Sequence, residues 1–138
     1  MLKGCFYGLT KKIGLAIGIT MLSGIGVHAA QWNSFSATMP AYMGAVHSNV
    51  YVKQDTSQYM SFKGAKIPMS INMVLMNSGN ATRSDRLTYP AGRSSTMRAS
   101  ERGYGALKGY RYHIRVNTST SQTSSRNVAG YWSPDYMK

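Results

Sequence analysis

The chain has 138 residues, and 16 Lys+Arg against 4 Asp+Glu make it formally +12, so it holds one domain at most and is suited to anionic partners. One Cys excludes an internal disulfide, and four carboxylates with three His leave little material for acid/base chemistry or a hard-metal cage. An enzyme is disfavoured, and neither a cofactor nor a metal is expected.

Lys3, Lys11 and Lys12 stand without an acid in the first twelve residues, and residues 13–27 follow without a charge. A basic segment and then an apolar one is the order of a secretory signal. Val27-His28-Ala29 ends the run with small residues at the third and first positions before a cut. Residues 1–29 therefore read as a helical signal peptide, removed between Ala29 and Ala30. A retained anchor is the alternative, but a spanning helix needs about 20 apolar residues, and this stretch is shorter and holds four Gly. No transmembrane segment is expected to remain after the cut. Cys5 precedes the apolar run, where a lipid anchor would not be placed. Residues 30–138 then form the secreted domain, without cysteine and with 13 Lys+Arg against 4 Asp+Glu, formally +9.

Beyond Ala30, period-two alternation and turn residues recur at short intervals, which predicts an all-β domain, a small antiparallel β-sandwich of about seven short strands. Phe35, Ala37 and Met39 alternate with polar neighbours, as Val50 and Val52 do with Tyr51 and Lys53. Residues 58–62 and 67–77 read as the next strands, the second with Met69, Ile71, Met73 and Leu75 on one face. Ser78-Gly79-Asn80 supplies turn chemistry, residues 83–89 return, and Pro90-Ala91-Gly92 closes that strand. Residues 93–98 suggest an edge strand, and 102–108 are punctuated by glycine. In the clearest strand, 109–117, Tyr110, Tyr112, Ile114 and Val116 face one side and Arg111, His113, Arg115 and Asn117 the other. A polar Ser/Thr loop over 117–126 leads to a last strand over 127–132, which Pro134 stops.

The closing string Gly130-Tyr131-Trp132-Ser133-Pro134-Asp135 is the most distinctive. Trp132 is expected to fill the space between sheets, with an exposed aromatic platform as the alternative, and Gly130 to let a backbone approach closely. With the leader, the Tyr-rich strand and the Ser/Thr/Asn loop, the string Val128 to Asp135 resembles a family of small secreted proteins of unknown function from Gram-positive bacteria. That resemblance implies a compact exported β domain and carries over no catalytic residue. A more distant likeness is to lactococcin-like bacteriocins, also exported by a cleaved signal and folded as small β-sandwiches.

Arginine dominates the basic residues of the second half. Its guanidinium fork pairs bidentately with phosphate and carboxylate, so Lys108, Arg111, His113 and Arg115, with Tyr110 and Tyr112, are the candidate envelope- or anion-binding residues. Arg111 and Arg115 are spaced to span roughly 13 Å of strand. A solvated face that keeps the protein soluble is the plainer alternative. No recognition helix, zinc module or aromatic sheet motif points to specific nucleic-acid binding. His47 and His113 read as surface or rim residues, and a triad of His113 with Asp85 or Asp135 has no support in spacing. Met69, Met73 and Met76 suit core gap-filling or an adaptable exposed row. Asn80-Ala81-Thr82 and Asn117-Thr118-Ser119 match a glycosylation pattern and read as polar loops. The sequence thus predicts an exported, cationic, non-enzymatic β domain on the anionic bacterial envelope, polymer or lipid surface. A bacteriocin-like or toxin-like factor acting on a competitor's envelope is the alternative, and a hydrolase with an unrecognised site is a third.

Overall fold

A computed structural model describes residues 29–138; the expected signal peptide lies outside the described residues, save for Ala29. Nine strands follow: β1 (Asn33–Met39), β2 (Ala45–His47), β3 (Tyr51–Val52), β4 (Tyr59–Lys66), β5 (Ile71–Asn77), β6 (Leu87–Tyr89), β7 (Met97–Ser100), β8 (Arg111–Thr118) and β9 (Arg126–Ser133). All pairings are antiparallel. The first sheet has the order β1-β9-β4-β7 and the second β2-β8-β5-β6, with β3 also paired to β8. This is the small all-β, sandwich-like fold read from the sequence.

Alternation explains the central strands. Tyr112, Ile114, Val116 and Thr118 on β8 are buried while Arg111 and Arg115 are exposed, and Ile71, Met73 and Leu75 on β5 turn inward with Met69 just before them. From the first sheet, Phe35, Met39, Met60, Phe62, Val128 and Trp132 meet them. The aromatic rings interlock edge-on, Phe62 against Tyr89 at 4.9 Å and Tyr51 against Trp132 at 5.7 Å. Met39, Met60, Met69 and Met73 fill this core, whereas Met76 is only partly buried.

Gly130 and Gly64 face each other across β9 and β4. A Cβ on Gly130 would lie 2.6 Å from the Lys63 carbonyl and 2.8 Å from the Phe62 ring, and one on Gly64 would lie 2.5 Å from Ile67. The missing side chains let the Phe62 and Tyr89 rings close over the pair. The Tyr89 hydroxyl accepts from the Gly64 N–H at 2.8 Å and donates to the Ser95 carbonyl at 2.7 Å.

Several local readings are corrected. Residues 67–70 are not strand, since Pro68 offers no N–H to a ladder. The expected return strand over 83–89 shrinks to β6, because the Ser84 hydroxyl, and not a backbone carbonyl, accepts the Leu75 N–H at 2.9 Å. Ser48 does the same between β2 and β3, its hydroxyl accepting the Ile114 N–H at 2.9 Å. The edge strand expected at 93–98 forms four residues later in chain order, as β7. Asn117 and Thr118 close β8 and do not open the loop. Around Lys53 the inferred faces are reversed: Val50 and Val52 are exposed and Lys53 is fully buried.

Candidate functional site

The outer face of the second sheet carries three of the six residues expected to bind anions, Arg111, His113 and Arg115. Arg111, His113, Arg115 and Asn117 alternate along β8, and β5 places Asn72 opposite Asn117, Val74 opposite Arg115 and Met76 opposite His113. Because Met73 pairs with Leu87, Arg86 flanks Val74 on its other side. Two strand spacings put the Arg115 and Arg86 backbones roughly 10 Å apart. That is close enough for two guanidiniums to converge on one anionic group. They line a cavity of about 140 Å³ with Asn72, Val74 and Asn117, and Thr88 donates to Asn72 Oδ1 at 2.7 Å, orienting its carboxamide.

The other predicted residues are divided among different surroundings. Arg111 opens on a cavity of about 390 Å³ lined by Tyr51, Gln54 and Asp135. Exposed Tyr110 shares a second cavity, about 360 Å³, with Arg83, Leu107 and Arg111. Lys108 is exposed in the loop before β8. Tyr112 is a core residue, its hydroxyl accepting the Leu107 N–H at 2.7 Å, so it cannot belong to a surface site with Tyr110. His113 is likewise buried rather than at the rim, its ring 5.1 Å from that of exposed His47. Burial, then the His47 charge, holds His113 below the usual histidine range. No salt bridge joins it to Asp85 or Asp135 among the described residues.

A second grouping was not legible in the sequence. Lys53 just after β3, Asp55, Glu101 just after β7 and Asp135 just after β9 converge at one end of the molecule. The Lys53 ammonium is 2.9 Å from Glu101 Oε1, 3.1 Å from Asp55 Oδ1 and 3.7 Å from Asp135 Oδ1. It also donates to the Pro134 carbonyl at 2.6 Å. The side chains of Lys53, Glu101 and Asp135 are at most 1% exposed. The three carboxyls are not equivalent. Burial raises the Asp55 pKa, but the Tyr136 N–H, Ser57 and Lys53 outweigh it and hold the group below the usual range. Burial raises Asp135 despite the N–H groups of Asp55 and Gln54, which donate to Oδ1 at 3.0 and 2.9 Å. Burial pushes Glu101 up to about 7 against the pull of Lys53. Its approach to Lys53 is close but misaligned, and neither carboxyl oxygen accepts a hydrogen bond.

No protein-family model matches the chain, and no curated protein matches it. The closing motif is therefore read from its own contacts. Trp132 is fully buried, and Gly130 gives the close approach described above. Tyr131 points outward beneath Lys63, whose ammonium is 5.5 Å from that ring and 4.6 Å from the Trp32 ring. Pro134 ends β9 and turns the tail back across the first sheet. There Ser61 donates to the Asp135 carbonyl, Arg98 donates to the Met137 carbonyl, and the Arg98 guanidinium lies 4.2 Å from the Tyr136 ring centre. No helix among the described residues is long and apolar enough to cross a membrane.

Proposed function

We propose that this chain is an exported, non-enzymatic β-sandwich that attaches to anionic groups of the bacterial envelope through the outer face of its second sheet. One observation carries this reading: three of the four carboxylates turn inward onto Lys53, while Arg86, Arg111 and Arg115 stay exposed on or beside that face. The surface is therefore more cationic than composition alone implies, and two of these guanidiniums share a cavity the size of a single anionic group. The basic and apolar leader supports export. Placement among small secreted proteins of Gram-positive bacteria is part of the proposal and rests on the closing motif.

The test is retention of the purified domain on an anionic wall polymer and on a neutral polysaccharide, at low and high salt. The anionic column alone should retain it. Retention should fall steeply with salt, since the screening length drops from about 30 Å at 0.01 M to about 8 Å at physiological strength. Charge reversal at Arg86 and Arg115 together should release the protein at lower salt while its circular dichroism is unchanged. Equal retention on both polymers, or retention indifferent to salt, would contradict the reading.

A further inference from the structure

The buried charge cluster is arranged as a condensation site. We propose that Lys53 and Asp135 become joined by an isopeptide bond that the folded chain makes unaided, with Glu101 as the catalytic proton carrier. Each part of such a reaction is in place. Lys53 Nζ, the nucleophile, is fully buried and 3.7 Å from Asp135 Oδ1. Two backbone N–H groups, of Gln54 and Asp55, point at that same Oδ1 at 2.9 and 3.0 Å. They polarise the carboxyl and face the oxygen on which negative charge would gather in a tetrahedral intermediate. Glu101 Oε1 lies 2.9 Å from Nζ, and a small reorientation of its carboxyl would bring it into line to take a proton. Because Glu101 titrates at about 7, it can both take a proton and return it near neutral pH.

The step balances without an external reagent. The Lys53 ammonium gives one proton to the Glu101 carboxylate, which passes it to Oδ2 of Asp135, and the freed lone pair attacks Cγ of the carboxyl so neutralised. Oδ1 carries the developing charge against the two N–H groups. Oδ2 collects two of the three ammonium protons, one relayed by Glu101, and leaves as water, so that one hydrogen stays on the amide nitrogen. Glu101 ends in its starting state. An ammonium and a carboxylate, both expensive to hold in a dry interior, become one neutral amide. The folded chain holds the reactants in contact and excludes water, conditions that favour condensation. The amide oxygen keeps its two N–H donors, and the amide N–H faces the Pro134 carbonyl, 2.6 Å from Nζ before reaction. The bond would tie the end of β3 in the second sheet to the end of β9 in the first, a cross-link in a segment without cysteine.

Mass spectrometry of the folded protein decides it. Read against its observed N-terminus, the wild-type chain should weigh one water less than its sequence. Trypsin should fail to cut after Lys53 and should release a branched peptide joining that segment to the one containing Asp135. Glu101→Ala, shown to be folded by circular dichroism, should keep its full mass. Asp135→Asn should still cross-link but lose ammonia in place of water, which identifies the acceptor. Full sequence mass with normal cleavage after Lys53 in the wild-type chain, after long incubation at neutral pH, would overturn the proposal. A one-water loss persisting in Glu101→Ala would overturn the role of Glu101. These outcomes are independent of whether the arginine face binds an anion.

Discussion

Two groups of charged residues receive opposite treatment in this molecule. On the outer face of the second sheet, Arg111 and Arg115 stand four residues apart on one strand, with His113 between them, and are exposed to water. At the end of the sandwich, Lys53, Glu101 and Asp135 leave water, Asp55 stays partly exposed, and the group is held by its own ion pairs and by nearby backbone N–H groups. The first arrangement follows from strand geometry and costs little. The second requires three loop segments, distant in sequence, to meet at one point, and it survives only because most of its charges are paired or hydrogen-bonded. Exposed charge is thus available to a partner, and buried charge is committed to the fold or to chemistry within it.

The contrast is broken most severely by Lys53→Ala, which leaves carboxylates buried without their cation and removes the proposed link to Asp135. Removing one partner of such a group costs about 3–5 kcal/mol, and denaturant unfolding should show a loss of that size. Gly130→Ala comes next. Its Cβ meets the Lys63 carbonyl and the Phe62 ring, so the β4–β9 pairing must shift, at about 1–3 kcal/mol of overpacking. A thermal melt as stable as wild type would mean that the close approach is not maintained in solution.

The pH dependence sharpens the comparison. Glu101 titrates at about 7 in the folded chain, above its ordinary 4.5. The stability it contributes is therefore complete below 4.5 and lost as pH rises through about 7. His113, held below its ordinary 6.5, acts in the opposite sense: its contribution is present above 6.5 and lost as the medium becomes more acidic. Glu101→Gln should remove the loss on the alkaline side of this window and leave the acid-side loss intact, as read from unfolding midpoints across pH. A variant whose profile overlays the wild type would place the titration elsewhere. The smallest effect on stability belongs to Arg115→Glu, an exposed substitution expected to stay within about 0.5 kcal/mol of wild type while weakening salt-sensitive binding to anionic polymer. A large destabilisation would show that Arg115 supports the sheet and is not free for a ligand.

What the sequence determined by itself was whatever depends on neighbours along the chain. Alternation in β5 and β8 marked their buried faces, the Ser78-Gly79-Asn80 turn appeared with Asn80 at φ 60°, and Gly130 and Trp132 were legible as close approach and filler. Arg111 and Arg115 were correctly placed on one face for the same reason. Tyr112 was read onto the inward face but wrongly counted with the surface residues. Only the tertiary structure decided the roles of Lys53, Asp55, Glu101 and Asp135. Val-Tyr-Val-Lys reads locally as an alternating strand, and nothing in it shows that β3 stops after two residues. A buried lysine becomes tolerable only where distant carboxyls converge on it, and such convergence follows from how two sheets are stacked.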